Sequence, residues 1–107
     1  MKQIYIFFLL SFSILLGDEL TSEVILEAEK GQTFFKKNLR KVCRTTSANF
    51  AQKHTYKEWY RLKEDKKFRI EVYRLCPGSA VFLEDKWIES IYAFTIVYAK
   101  NTNRFSE

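Results

Sequence analysis

Residues 29–43, EKGQTFFKKNLRKVC, form the stretch from which the fold can be worked out. Apolar residues in this stretch and in the segment before it recur near helical spacing, with charged residues between them, which predicts an amphipathic helix. Ser22 is the expected N-cap, and the helix is expected to end by Cys43, because residues 45–47 are Thr-Thr-Ser. Gly31 interrupts the apolar pattern, which predicts either close packing against another element or a helix that starts near it.

A capping box formed by Thr55 and Glu58 is the clearest local signal further along the chain. The Thr55 hydroxyl can accept from one free backbone N–H and the Glu58 carboxylate can reach back to another, so a helix is expected as far as about Lys63. Glu84 and Asp85 are expected to open the last helix, because acidic side chains are favourable at a helix N-terminus.

Residues 68–75, FRIEVYRL, and residues 93–99, AFTIVYA, fit either a helix or a strand. The first segment alternates, and the second is rich in β-branched and aromatic residues. No Asn-Gly or similar hairpin turn separates the apolar runs and glycine is scarce, so helices are favoured. Pro77 and Gly78 are expected to end the helix of residues 68–75. The sequence predicts an all-α domain of four to five helices, with a small α+β domain as the alternative.

The first 17 residues have the features of a secretory signal peptide. Lys2 gives a positive start, residues 4–16 are an apolar run, and Gly17 supplies a small residue at its end. The run is shorter than the roughly 20 residues that span a bilayer, and no cluster of Lys or Arg follows it. We therefore expect a signal peptide at residues 1–17, a single domain at residues 18–107, and a periplasmic or secreted protein.

Without the signal peptide the chain has about 90 residues, near the lower size at which one hydrophobic core suffices. It carries 17 Lys and Arg against 13 Asp and Glu, a net charge of +4. This modest excess is weak support for a nucleic-acid-binding or lipid-binding surface. An exported protein also has little access to nucleic acid. We expect no nucleic-acid partner and no stable membrane insertion once the signal peptide is removed.

Cys43 and Cys76 are the two cysteines of the chain. In an exported protein an even number of cysteines predicts a disulfide. Here it would close a loop of about 33 residues and stabilise the fold by roughly 3–4 kcal/mol. The alternatives are two free thiols or a metal site. No CxxC pair is present and His54 is the only histidine, so we expect no metal site.

Residues 29–35 resemble the opening of class I cytochrome c domains. In that family the first helix bears a glycine, and an aromatic residue follows it three or four residues later. Here the glycine is Gly31, and the aromatic residues at those two distances are Phe34 and Phe35. Residues 87–99 look like the closing helix of the same fold, which packs an aromatic residue against that glycine. The layout is also similar to small exported cytochrome c-like proteins of epsilon-class bacteria. The residues that carry this second similarity are Phe50, Ala51, Lys53, His54, Thr55, Trp59, Cys76 and Pro77.

The haem-attachment residues of that family have no counterpart in this sequence. Counting from Gly31, the two thioether positions fall at Leu39 and Val42, and the haem-ligand position falls at Cys43. Covalent attachment needs two thiols and an adjacent imidazole, so none of the three groups is in place. Methionine, the usual distal ligand, is absent after the signal peptide. The resemblance therefore implies a cytochrome c-like helical arrangement without covalent haem.

His54 is the only candidate for a cofactor-binding residue. It would be an axial ligand if haem bound non-covalently, with a Tyr or Cys as a second ligand. The simpler interpretation is a residue that ends a helix and complements its dipole. Cys43 and His54 would suit a thiol nucleophile and its base, but no third group is evident, and a disulfide would abolish the pair. We expect no catalytic residues and no enzymatic activity.

Two further groups of side chains are candidates for binding a partner. One is aromatic and could line a groove for a peptide or ligand: Tyr56, Trp59, Tyr60 and Tyr73. The other is cationic and lies at one end of the first helix: Lys36, Lys37, Arg40, Lys41 and Arg44. The resemblance implies that such cations form a docking face for acidic redox partners. The alternative is that they complement the helix dipole.

The leading functional hypothesis is a non-enzymatic exported binding or accessory protein on a cytochrome c-like scaffold, without a cofactor and with an unidentified periplasmic partner. An electron-transfer protein that holds haem through a non-standard ligand set is the main alternative. The third hypothesis is a structural or inhibitory exported domain that acts through its aromatic surface.

Overall fold

Helices account for the architecture of this computed structural model, which describes residues 21–100. Residues 68–75 are helical, and residues 93–97 belong to the last helix, so the strand alternative is wrong. Extended pairing within the described residues is limited to one isolated bridge, between Thr55 and Lys100. The all-α prediction is confirmed. The signal peptide expected at residues 1–17 lies outside the described residues.

The first helix is continuous but changes its winding along its length. α1 (Ser22–Phe34) leads into a π-helical turn (Phe35–Leu39), which leads into α2 (Arg40–Cys43). Thr21, one residue before the expected cap, is the N-cap, and its hydroxyl oxygen accepts from the N–H of Val24 at 3.2 Å. The helix ends where expected, after Cys43, because the following residue adopts the left-handed conformation that terminates many helices.

Four shorter helices and one 3₁₀ segment complete the domain. They are α3 (Ser47–Ala51), α4 (Tyr56–Glu64), α5 (Phe68–Leu75), the 3₁₀ helix (Pro77–Val81) and α6 (Asp85–Val97). With the first helix counted once, the described part of the chain has five α-helices, within the predicted range.

The capping predictions for α4 and α6 agree with the structure. Thr55 Oγ1 accepts from the N–H of Glu58 at 3.1 Å, and Glu58 Oε1 accepts from the N–H of Thr55 at 3.0 Å, which completes the capping box. Glu84 is the N-cap of α6 and Asp85 lies in its first turn.

α1 and α6 cross closely at Gly31. A β-carbon at this position would overlap the backbone carbonyl of Ser90 and would lie 3.0 Å from Cβ of Phe94. The Ser90 hydroxyl also donates a hydrogen bond to the carboxylate of Glu27 across the same crossing. Of the two expectations for Gly31, close packing is therefore correct, and the helix runs through it without a break.

Aromatic side chains form a continuous core between the helices. Phe35 lies at its centre, with its ring centroid 5.0 Å from that of Phe50 and 5.7 Å from that of Phe94. Trp59 extends the core toward α5, because its ring packs against both Phe50 and Phe68. Its indole N–H donates to the carbonyl of Ala51 at 2.7 Å, so the one polar atom of this buried ring is satisfied.

The predicted disulfide is present between Cys43 and Cys76, with a Cα–Cα distance of 5.2 Å. It joins the end of α2 to the end of α5. Beside it, a β-carbon at Gly78 would overlap the side chain of Val42, so the 3₁₀ helix lies directly against α2. The bond and this contact fix the end of the first helix against the second half of the domain.

Candidate functional site

The three positions that correspond to haem attachment are all used for structure. Leu39 is fully buried in the core, and Cys43 is bonded to Cys76. Val42 is 38 % exposed and packs against Gly78. The described residues contain no free cysteine. The hypothesis that Cys43 is a nucleophile with His54 as its base is therefore wrong. A sulfur in a disulfide has no thiol proton for a base to remove and cannot form a thiolate.

His54 lies between two carboxylates rather than facing an open cavity. Its Nδ1 is 3.0 Å from Oε1 of Glu58, and its Nε2 is 2.6 Å from Oε2 of Glu71. A carboxylate accepts but cannot donate, so both contacts are hydrogen bonds only when both ring nitrogens carry a proton. The ring also meets the edge of Trp59 at a centroid distance of 4.8 Å, which fixes its plane.

This geometry does not fit an axial haem ligand at His54. Ligation needs an unprotonated ring nitrogen directed at the iron, whereas both nitrogens here are held by Glu58 and Glu71. His54 was also expected to end a helix, but the preceding helix, α3, ends at Ala51. His54 precedes α4, and its main effect is to join the start of α4 to the middle of α5.

Glu71 is the most strongly perturbed carboxylate at this site. Arg74 donates to both of its oxygens, from Nε at 2.8 Å and from Nη2 at 2.6 Å, and only 11 % of its side chain is exposed. The Arg74 hydrogen bonds, with a smaller contribution from His54, lower the pKa of Glu71 to about 2, although burial opposes them. The Thr55 N–H and His54 likewise lower the pKa of Glu58.

Glu71 is a residue that the sequence did not identify. The segment FRIEVYRL suggested Phe68, Ile70 and Val72 as its apolar side, but Ile70 is 65 % exposed and Glu71 is 9 % exposed. One signal was available: Glu71 stands three residues before Arg74, the spacing of a helical ion pair. The second partner, His54, could not be found in this way, because it precedes α4 and is 17 residues away along the chain.

The aromatic candidates do not form an exposed groove. Trp59 is fully buried, which contradicts the expectation that it could be partly exposed. Tyr56, Tyr60 and Tyr73 are half-buried and pack against the core. Their main role is therefore packing, with only their outer edges in contact with solvent.

The cationic candidates do form a continuous exposed surface. Lys36, Lys37, Arg40, Lys41 and Arg44, hereafter the cationic face, are all exposed. The first four are spaced at intervals of three and four residues along the π-helical turn and α2, so they lie on one side of the helix, and Arg44 follows directly after its end. None of the five forms an ion pair with a residue of the described part of the chain.

The sequence around the cationic face contains no acidic residue to neutralise it. Between Glu29 and Glu58 the chain has eight Lys and Arg and no Asp or Glu. The whole chain has a net charge of +5, so the remainder is net acidic by three charges. The excess of positive charge thus lies in one segment of the sequence, which favours the attraction of negatively charged partners to that segment.

Residues 21–100 contain no group of three or more His, Cys, Asp or Glu side chains arranged to hold a metal ion. No helix among them combines the length and the apolar character needed to cross a membrane.

Comparison with protein-family models, with curated proteins and with solved structures finds no match for this chain.

Proposed function

We propose that this chain is an exported, non-enzymatic binding or accessory protein that docks an acidic partner protein through the cationic face. Its scaffold is cytochrome c-like in helical arrangement and carries no covalent haem. The observation that supports docking most directly is the row of five exposed cations without an ion-pair partner in residues 21–100.

Charge complementarity is the reason for proposing an acidic protein as the partner. Exposed cations on a rigid helix attract a negatively charged surface, raise the association rate and select against basic partners. The alternative, that these cations complement the helix dipole, applies only to residues in the last turn, which are Arg40 and Lys41. Lys36 and Lys37 lie a full turn earlier, so the dipole alone does not account for the row.

The cysteines and the histidine of the described residues are already engaged in structural contacts, which supports a binding role. The cysteines are joined to each other, and the ring of His54 is held on both nitrogens by carboxylates. An electron-transfer function would need another way of holding haem than these residues offer. The export hypothesis rests on residues 1–17 and on the compatibility of a disulfide with an oxidising compartment.

A binding measurement with a short fluorescent poly-glutamate peptide tests the docking proposal. The triple variant K36Q/K37Q/K41Q removes three charges of the cationic face and keeps residues of similar helix propensity. We expect it to weaken binding about tenfold and to flatten the dependence on salt. The matched control K53Q/K66N/K86Q removes three exposed cations elsewhere and is expected to bind nearly as tightly as the wild type.

Equal losses in the two triple variants would show a non-specific effect of net charge and would overturn the proposal. Binding of anionic phospholipid vesicles in place of the peptide, with the same dependence on the cationic face, would overturn it in favour of a membrane-surface role.

Export and the absence of covalent haem have a separate test, an intact mass and a visible spectrum on protein matured in a periplasm that can attach haem. We expect a chain that begins near Asp18 and lacks the two thiol hydrogens of Cys43 and Cys76. A Soret band would contradict the haem-free assignment.

A further inference from the structure

A groove with a volume of about 530 Å³ lies along α4 and reaches the turn before α5. Lys57 and Arg61 of α4 line it together with Lys67, the residue that precedes α5. Its remaining walls include Leu62, which is half-buried, and the ring of His54. A volume of this size is within the range of about 300–1,000 Å³ that is typical of small-molecule sites.

The acidic side chains of the groove form no ion pairs with its cations and offset only part of their charge. The Glu58 carboxylate is already held by the N–H of Thr55 and by Nδ1 of His54, at 3.0 Å each. Asp65 forms no ion pair with a described residue.

The three cations of the groove, Lys57, Arg61 and Lys67, also form no ion pair in the part of the chain that the structure describes. Lys57, Arg61 and Lys67 carry three positive charges against the two negative charges of Glu58 and Asp65, so the groove keeps an excess of positive charge that favours an anionic ligand.

The wall of the groove around His54 is held in place on several sides. Glu58 and Glu71 fix the two ring nitrogens, and the edge of the ring rests against Trp59. The backbone carbonyl of His54 accepts from the N–H of Lys100 at 3.0 Å, which ties this segment to the end of α6. A wall that is already rigid loses little conformational entropy when a ligand binds.

We propose that this groove binds a small organic anion that bears a carboxylate or a phosphate group, with its apolar portion against Leu62. Lys57 and Arg61 are four residues apart on α4, so their β-carbons are about 6 Å from each other on one face of the helix. Arg61 can hold two oxygens of one anionic group in a forked arrangement, and Lys57 and Lys67 supply point charges for the rest. This site is separate from the cationic face and does not depend on the proposed docking function.

The test is a titration of ¹⁵N-labelled protein followed by amide chemical shifts, with succinate and phenyl phosphate as probes and benzyl alcohol as the uncharged comparison. With at least one of the two dianions, we expect amide shifts that saturate and are confined to residues 54–67. With benzyl alcohol, we expect no saturable shifts in these residues. The stronger of the two responses identifies which dianion chemistry the groove prefers.

The double variant K57Q/R61Q is expected to weaken that binding about tenfold or more, since it removes two of the three cations that contact the anion. Both side chains are exposed on α4, so the amide spectrum of the variant should otherwise match that of the wild type.

The variant K36Q/K37Q/K41Q should bind the dianion normally, which separates this result from the outcome of the docking experiment. Several outcomes would overturn the proposal: no saturable shift with either dianion up to about 10 mM, shifts that survive in K57Q/R61Q, or shifts centred on the cationic face.

Discussion

Glu71 connects three separate parts of the chain. It accepts from Arg74 in its own helix and from His54 before α4, and the carbonyl of His54 in turn accepts from Lys100 after α6. A carboxylate buried among charged donors is stabilising only while it is ionised and all its donors are in place.

The pKa of Glu71 determines the sign of one pH effect. Its folded pKa of about 2 is below the ordinary value of 4.5, so ionised Glu71 favours the folded state at neutral pH. This contribution is complete above about pH 4.5 and is lost as the pH falls toward about 2. We expect urea unfolding, followed by tryptophan fluorescence, to show a fall in the free energy of unfolding across that interval.

The variant E71Q separates this contribution from those of Glu58 and Glu27, whose pKa values are also lowered. It should be less stable than the wild type near neutral pH by about 1–3 kcal/mol and should lose less stability on acidification. E64Q changes an exposed carboxylate in the neighbouring helix and serves as the control. An E71Q profile parallel to that of the wild type would show that Glu71 does not carry the effect.

Residue-scale prediction from the sequence succeeded where chemistry restricts the choice and failed where packing decides. The two cysteines could form only one intramolecular bond, and that bond is present. The burial of Glu71 and the exposure of Ile70 are opposite to their hydrophobicity. Such an exchange depends on partners such as His54, which lies 17 residues away along the chain and which a periodicity argument does not include.

The pairing of α1 with α6 depends on the absence of a side chain at Gly31. Alanine has the higher helix propensity by about 1 kcal/mol, so G31A would stabilise an isolated helix. In the folded protein its β-carbon would overlap the Ser90 carbonyl, which is backbone and cannot move aside cheaply. We therefore expect a net destabilisation of about 1–3 kcal/mol, measured by thermal or urea unfolding.

T33A provides the matched comparison, because Thr33 is exposed on the same helix. It should be neutral or slightly stabilising, as propensity alone predicts. A stabilising effect of G31A similar to that of T33A would mean that the two helices do not approach as closely as described.

Elements with local signals were the easiest to predict from the sequence. The capping box at Thr55 joins residues three positions apart, and the acidic start of α6 depends only on residue type at the helix N-terminus; both are present. The π-helical turn (Phe35–Leu39) was not predicted. No residue type specifies that winding; it occurs where Phe35 and Leu39 are both fully buried against other helices while the Lys36 and Lys37 between them remain exposed.

The disulfide is the covalent constraint on the domain as a whole. Cys43 and Cys76 are 33 residues apart, and closure of a loop of that length restricts the unfolded chain by roughly 3–4 kcal/mol. The double variant C43A/C76A should lose about that much stability in urea unfolding. Reduction of the wild type with dithiothreitol should cause a similar loss, whereas an unchanged unfolding midpoint after full reduction would contradict the assignment.

The contact between the first and last helices also affects how the domain can fold. Glu27 and Ser90 are 63 residues apart, and the α1–α6 crossing brings together segments that leave the ribosome far apart in time. Pairing over such a separation slows folding relative to helical domains with mostly local contacts. A chain that ends at α5 lacks the helix that packs against Gly31 and Phe35 from the other side, so it keeps apolar groups exposed. The core can therefore close only when the final helix is available, whatever has formed before it.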